Sequence, residues 1–150
     1  MHFIQFLDII KIMKIYQTKS AKLPGTDWRE VYKRSFGLYK QIKRKTKRQP
    51  YIRSAYFQKD KIFLEIFWHH LHEKQNFRDK VRRLKLFPAV IELIQNSRIE
   101  PSCIENPNKP KELLYRFTGV TSDKELFVVQ IKKEKKNNKK WLISAFPAKR

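Results

Sequence analysis

The last third of the chain alternates apolar and polar side chains with the period of a β-strand. Successive residues of a strand point to opposite faces, so the runs at 112–119, 125–133 and 140–147 predict an antiparallel meander. One predicted face is apolar and holds Tyr115, Phe117, Phe127, Val129, Ile131, Trp141 and Ile143. The other gathers the polar side chains Arg116, Thr118, Gln130, Lys132 and Ser144 among the apolar Leu114, Leu126, Leu142 and Phe146. Such a face is either a pocket with an apolar floor or the solvated side of a two-faced sheet.

Helical periodicity replaces this alternation in the preceding residues. Helices are predicted at 3–16, 28–46, 60–75 and 77–96. Asp27 and Glu30 resemble a capping box at the start of the second helix, and Pro88 must kink the fourth helix or begin a new one. With a short strand at 98–104, the chain is predicted to be an α+β protein, in which N-terminal helices are followed by a three- to four-stranded antiparallel sheet.

A large excess of positive charge indicates the class of partner. Lysine and arginine number 35 against 14 aspartate and glutamate residues, which gives a net charge of +21. The chain is also 41% hydrophobic and 13% aromatic, so it can fill a core and is not a disordered basic tail. The simplest ligand is a polyanion, either nucleic acid or an anionic membrane. No apolar run is long enough to span a bilayer, and the first predicted helix carries few cations for anionic lipid, so we expect nucleic acid and no membrane.

The sequence lacks the motifs of common cofactor and metal sites. Cys103 is the one cysteine, which excludes an intrachain disulfide and most cysteine-based zinc sites and fits a reducing, cytoplasmic compartment. With 3 glycines, no Walker or dinucleotide loop can be drawn. We therefore predict no cofactor and no metal, and we expect any phosphate chemistry to be metal-independent.

A cluster of cations lies at the end of the second predicted helix. It comprises Lys40, Lys43, Arg44, Lys45, Lys47 and Arg48. Tyr39 and Tyr51 lie near it in the sequence, and aromatic rings beside cations are typical of surfaces on which bases stack. We therefore expect these cations to hold an RNA backbone. The alternative is an ordinary solvated helix end.

Three histidines in the segment FWHHLHEK are the candidate acid/base groups. His69 and His72 lie at the edge of the predicted apolar arc, and His70 falls in its middle, among Ile62, Phe63, Ile66 and Phe67. Histidine exchanges protons near neutral pH, which suits a general acid or base. The alternatives are one core histidine with two on the surface, or a zinc site, for which no third ligand has a suitable spacing.

Several segments carry a resemblance to a known enzyme family. They are the helix with Trp68-His69-His70-Leu71, the end of a second helix (AVIELIQNSRIEP), two strands (ELLYRFTG and ELFVVQIK) and a closing strand (WLISAFP). With these motifs, residues 62–147 resemble the phage-associated branch of the Barnase–EndoU–colicin–RelE superfamily (BECR fold) of small metal-independent ribonucleases. The resemblance implies helices followed by a curved antiparallel sheet whose face binds RNA. It also implies a basic helical extension at residues 1–55 and a nuclease domain at residues 56–150.

The resemblance implies catalytic roles for five residues: His70, His72, Arg116, Lys132 and Ser144. His70 would move a proton, the two cations would stabilise the phosphorane oxygens, and Ser144 would orient the phosphate. Many members carry a second histidine about one turn later, whereas this chain reads HEKQNFRDK there. Either His72 takes that role or the acid/base pair is incomplete. Gln130 and the cations at the helix end would bind the RNA.

The implied activity is that of a metal-independent endoribonuclease, a toxin-type or processing enzyme that cleaves RNA by attack of the 2′-OH. RNA would be its substrate, and a protein inhibitor would be a further partner. Two alternatives stay open. One is a non-catalytic RNA- or DNA-binding module on the same fold, and the other is a subunit that docks through the helix at 3–16.

Overall fold

The computed structural model describes residues 14–73 and 76–148. Within these ranges the chain forms four helices: α1 (Trp28–Arg44), α2 (Glu65–Glu73), α3 (Phe77–Lys85) and α4 (Phe87–Asn96). It forms seven strands: β1 (Tyr16–Gln17), β2 (Tyr51–Ser54), β3 (Asp60–Phe63), β4 (Ser102–Asn106), β5 (Lys109–Val120), β6 (Leu126–Glu134) and β7 (Lys140–Pro147). None of these helices is long and apolar enough to cross a membrane. The predicted helix at 3–16 lies outside the described residues, apart from its last three, which form a turn and the start of β1.

The seven strands form one mixed sheet that curls into a half-barrel. The order of its strands is β1-β5-β6-β7-β3-β2, and β4 also pairs with β5. The pairs β1·β5 and β3·β7 are parallel, and the other pairs are antiparallel. The protein is α+β, but the predicted three- to four-stranded antiparallel sheet behind N-terminal helices is wrong, because strands also come before and between the helices.

The hairpin of β2 and β3 accounts for most of this error. Each strand has four residues, too few for an alternation to stand out, and the turn between them places Gln58 and Lys59 at φ values of 55° and 69°. Ile62 and Phe63 share helical spacing with the following residues, yet they belong to β3. The predicted helix at 60–75 is therefore wrong in its first part. The predicted apolar arc around His70 is wrong as well, because this side chain is exposed.

The other helices follow their sequence patterns. α1 ends two residues before the predicted Thr46, and Asp27 occupies its N-cap position, although the Asp27 side chain makes no capping hydrogen bond. α3 and α4 are separate helices with Pro88 in the first turn of α4, so of the two alternatives predicted at this proline, a kink or a new helix, the structure shows the new helix.

All four helices pack against one face of the sheet and share a single core. The core contains buried side chains from every helix and from one face of the strands, including Val31, Ile52, Phe67, Leu84, Val90, Phe117, Val129 and Ile131. Each such side chain stabilises the fold by about 1.5–3 kcal/mol. α1 and β2 thus contribute to the same core as the later elements. We call the opposite side of the sheet the open face.

A β-bulge in β7 reverses the alternation of this strand. Ser144 pairs with Gln130, whereas Leu142 pairs with the next residue of β6, so Ile143 is an extra residue in β7. Leu142 is consequently buried in the core, and Trp141 lies on the open face. The predicted apolar face is therefore correct for β5 and β6 but wrong for Trp141 and Ile143.

Candidate active site at the edge of strand β7

Helices α2 and α3 cover part of the outer edge of β7. β3 pairs with β7 at Lys140 and Trp141, and the chain then enters α2. Beyond these positions no described strand pairs with this edge, so its backbone carbonyls need other donors. The carbonyls of Ile143 and Ala145 interact with His70 on α2 and with Arg83 on α3. The side chains of His70 and Arg83 therefore satisfy backbone carbonyls of this edge, and these contacts fix the positions of both side chains.

The hydrogen bond of His70 determines which ring nitrogen can react. Its Nδ1 lies 3.1 Å from the carbonyl oxygen of Ile143, and because a carbonyl can only accept, Nδ1 carries the proton. Nε2 is then the nitrogen left to exchange a proton with a ligand, as acceptor in the neutral ring or as donor in the imidazolium. The side chain is exposed, so a ligand can reach it.

Arg83 is held beside the same edge by three contacts. Its Nε donates to Oδ2 of Asp79 at 2.9 Å, and its Nη1 donates to the carbonyl oxygen of Ala145 at 3.4 Å. The guanidinium carbon lies 5.5 Å from the ring centre of Phe146. These contacts fix the plane of the guanidinium, a group whose N–H geometry matches the oxygens of a phosphate.

A cavity of about 220 Å³ opens between α2, α3 and β7. We call it the edge cavity, and it is lined by Phe67, His70, Leu71, Glu73, Arg83, Ile143 and Ser144. Glu73 follows His70 by three residues on α2 and therefore lies on the same side of the helix. The cavity is smaller than the roughly 300–1,000 Å³ of typical ligand pockets, so it suits a phosphate group better than a whole drug-sized ligand. The polar groups around it are the imidazole of His70, the carboxylate of Glu73, the guanidinium of Arg83 and the hydroxyl of Ser144.

Three residues of the predicted polar face form a row with Ser102 across four strands of the open face. Ser102, Arg116, Gln130 and Ser144 pair with one another in this order from β4 to β7, and we call them the polar row. Arg116 is exposed and lies two strands, or about 10 Å, from Ser144. Thr118 lies on the same face of β5. The structure thus brings Ser144 to His70 but leaves Arg116 and Gln130 outside the edge cavity.

Lys132 lies outside the edge cavity as well. Beyond the bulge, its partner in β7 is Trp141. Its Nζ pairs with Oε2 of Glu112 at 3.2 Å, and the two side chains are 18% and 13% exposed. Breaking such a partly buried ion pair to bind a phosphate would leave the carboxylate without its partner, which is costly. Arg83, and not Lys132, is the cation that the fold brings to His70.

His69 and His72 do not line the edge cavity. His72 follows His70 by two residues, about 200° around the helix, and its ring centre lies 5.8 Å from that of Tyr32 on α1. His69 is exposed. Across residues 14–73 and 76–148, no group of three or more His, Cys, Asp or Glu side chains is arranged to hold a metal ion.

The six predicted RNA-binding cations lie at the end of α1 and just beyond it. All of them are exposed: Lys40, Lys43, Arg44, Lys45, Lys47 and Arg48. Nζ of Lys40 lies 5.1 Å from the ring centre of Phe36, and Lys45 lines a larger cleft beside β2. Cations near a helix C-terminus also interact favourably with the helix dipole, so their position alone does not require a ligand.

Two charged residues of the edge cavity, Glu73 and Arg83, are absent from the predicted set. Glu73 has a signal in the sequence, because its spacing from His70 places both side chains on one helix face. Arg83 has none. It reaches the cavity through the packing of α3 against β7, where its carbonyl partner Ala145 is 62 residues away in the sequence.

Comparisons with known proteins find no relative. No family model, no curated protein and no solved structure matches the chain. The resemblance to the ribonuclease superfamily therefore stays a prediction, and the function has to be inferred from the site itself.

Proposed function

We propose that this chain is a metal-independent endoribonuclease that acts at the edge cavity. The observation that carries the proposal is the convergence of His70, Glu73, Arg83 and Ser144 on one cavity of about 220 Å³. Cleavage of RNA through its own 2′-OH needs a base, an acid and groups that stabilise the charged phosphorane, and these four side chains supply them. The net charge of +21 supports a polyanionic substrate.

Glu73 and His70 divide the two proton transfers. The carboxylate of Glu73 takes the proton of the 2′-OH as the 2′-oxygen bonds to phosphorus. The imidazolium of His70 gives its Nε2 proton to the 5′-oxygen as the bond from that oxygen to phosphorus breaks. The hydrogen bond from Nδ1 to Ile143 is kept in both protonation states and holds the ring in place. The products are a 2′,3′-cyclic phosphate and a 5′-OH.

Arg83 and Ser144 bind the phosphate in this mechanism. The guanidinium of Arg83 donates N–H groups to the non-bridging oxygens, and the hydroxyl of Ser144 donates to one of them. Loss of one such donor typically lowers the rate by about 10²–10³. Gln130 and Arg116 continue the polar row away from Ser144, where they contact the neighbouring part of the RNA backbone.

Cleavage of a mixed RNA pool in excess EDTA tests the proposal. We expect the wild type to cut the RNA and leave 2′,3′-cyclic phosphate ends, and we expect His70→Ala to lose about 10²-fold or more in rate. His69→Ala changes an exposed histidine of the same helix, so it is the matched control and should keep the wild-type rate. Cleavage that EDTA abolishes, or that His70→Ala retains, would overturn the proposal.

A non-catalytic RNA-binding module is the second candidate. The exposed Arg116 and the exposed cations at the end of α1 favour it, because they can bind RNA without an acid or a base. RNA binding by the wild type without cleavage, together with unchanged affinity in His70→Ala, would support this candidate. A toxin role, a protein inhibitor and a cytoplasmic location stay predictions.

A further inference from the structure

Three aromatic rings lie side by side on the open face of the sheet. Tyr51, Phe63 and Trp141 occupy one row across β2, β3 and β7, because they pair with one another in the sheet. The ring centres of Tyr51 and Phe63 lie 6.1 Å apart, and those of Phe63 and Trp141 lie 5.0 Å apart. All three side chains are partly exposed. We call them the ring row, and aromatic rings on the face of a sheet can serve as surfaces on which unpaired bases stack.

Cations surround the ring row. Nζ of Lys61 and the guanidinium carbon of Arg53 lie 4.7 and 5.5 Å from the ring centre of Tyr51. Nζ of Lys139 lies 4.7 and 4.8 Å from the ring centres of Trp141 and Phe63. A base that stacks on one of these rings displaces the cation from the ring face, and the displaced cation is then within reach of the attached phosphate.

Two of these cations face each other directly. Arg53 and Lys61 are paired residues of β2 and β3, and like charges in this position destabilise a sheet. Asp60 is the one acidic residue between positions 51 and 63, and its carboxylate pairs with Nζ of Lys140 at 2.7 Å. Both side chains are exposed, and a bound polyanion would offset the repulsion between them, so the pair is compatible with a negatively charged ligand.

A basic cleft of about 1120 Å³ adjoins the Tyr51 end of the ring row. Four cations line it: Lys45, Arg53, Lys59 and Arg98. Thr46, Ser54 and Tyr56, which carry hydroxyl groups, also line it, and this lining, which lies within the described part of the chain, contains no Asp or Glu. The cleft is larger than most small-molecule pockets, so it suits the backbone of a polymer.

We propose that the ring row and the basic cleft form a binding site for single-stranded RNA. Unpaired bases stack on Tyr51, Phe63 and Trp141, and the phosphates run into the basic cleft. A duplex does not fit this site, because its bases stack on each other and do not offer their faces to the protein. Trp141 lies three residues, or about 10 Å, from Ser144 on β7, so a strand bound here reaches the edge cavity. Binding of RNA at the ring row does not depend on cleavage. Only the delivery of the strand to the edge cavity rests on the proposed function.

Binding of an RNA that cannot be cleaved separates this site from the proposed nuclease. A short labelled RNA in which every 2′-OH is methylated lacks the attacking hydroxyl, and fluorescence anisotropy measures its affinity as a single strand and as a duplex. We expect the wild type to prefer the single strand by about tenfold or more, and Tyr51→Leu to lose about tenfold in single-strand affinity. Phe77→Leu removes a ring that is 61% exposed on α3, and this control should bind like the wild type.

Lys61→Gln provides a second readout that a structural role alone would not give. It removes the repulsion with Arg53, so we expect a higher melting temperature together with weaker single-strand binding. The slope of log affinity against log salt should become shallower by about one. Unchanged affinity in both Tyr51→Leu and Lys61→Gln, or a preference for the duplex, would contradict the proposal. If the wild type binds the single strand as expected but never cleaves RNA, the proposed nuclease activity would be refuted. The proposed binding site would still be supported.

Discussion

The Nδ1 atom of His70 lies 3.1 Å from the carbonyl oxygen of Ile143, the extra residue of the bulge in β7. In a regular strand Leu142 and Ser144 would share a face, because they are two residues apart. The bulge separates them, so Leu142 is buried in the core while Ser144 lies in the polar row. One irregularity of the strand thus positions both the hydroxyl and the imidazole of the edge cavity, which agrees with the frequent occurrence of bulges beside active sites.

Glu73 should be required for RNA cleavage. The amide of Glu73→Gln cannot accept the proton of the 2′-OH, so we expect this variant to lower the rate by about 10²–10⁴. Single-turnover cleavage of a short RNA measures the effect. A Glu73→Gln variant that keeps the wild-type rate would exclude the proposed role of this carboxylate.

Arg83 should be sensitive even to a substitution that keeps its charge. Lysine cannot contact Asp79 and Ala145 with two N–H groups in fixed directions, so we expect Arg83→Lys to lose most of the roughly 10²–10³ that Arg83→Gln loses. The measurement is kcat/KM with an RNA substrate, and Arg82→Gln, an exposed cation of the same helix, is the control. Full activity in Arg83→Gln would show that the phosphate is bound elsewhere.

Two glycines provide a matched test of the packing. A Cβ added at Gly119 would lie 2.6 Å from Phe127 and 2.7 Å from Leu93, both in the core, so we expect Gly119→Ala to lower the free energy of unfolding by about 1–3 kcal/mol. Apart from the nearby backbone of α1, no heavy atom of the described residues lies within 4 Å of a Cβ at Gly37, in the middle of this helix, so Gly37→Ala should raise the free energy of unfolding by about 0.5–1 kcal/mol. Urea unfolding measures both, and equal stability of the two variants would mean that β5 does not pack against α4 as described.

Alkaline conditions should weaken the fold through Tyr39. Burial, and secondarily the charge of Glu65, raises the pKa of Tyr39 from 10.0 to about 12. Between these values the unfolded chain has lost the phenol proton and the folded protein still holds it. The contribution to stability is therefore complete below pH 10.0 and is lost as the pH rises to about 12.

Tyr39→Phe tests this dependence, because it removes the titrating hydroxyl. We expect urea unfolding of the variant to show a shallower fall of the free energy of unfolding between pH 10.0 and about 12. The same comparison below the interval, where the phenol is protonated in both states, is the control. Identical pH dependence of the two proteins throughout would refute the role of Tyr39.

The elements that sequence patterns predicted are those whose signal lies in consecutive residues. The alternation of β5 and β6, the apolar stripe of α1 and the restart at Pro88 are all local, and the structure contains each of them. The pairing of β3 with β7 is different, because it joins Ile62 to Lys140, far apart in the sequence, through a strand of four residues. No local pattern reports such a pairing, and the sheet was therefore predicted with too few strands.

The same distinction applies to the edge cavity. His70 and Ser144 could be found by residue type and alternation, and the structure brings them to one cavity. The bulge at Ile143 carries no mark in the sequence, so the faces of its neighbours Trp141 and Leu142 were predicted the wrong way round. The choice of Arg83 over Lys132 as the local cation depends on helix packing and on an ion pair, which only the folded chain defines.

The most direct test of the proposed nuclease is cleavage of a DNA strand that contains a single ribonucleotide, in excess EDTA. Such a strand offers one 2′-OH, so the proposed chemistry permits one cut, directly after the ribonucleotide. We expect mass spectrometry to find one product that ends in a 2′,3′-cyclic phosphate and one that begins with a 5′-OH, and neither with His70→Ala. An uncut strand, or a cut between two deoxyribonucleotides, would contradict the account.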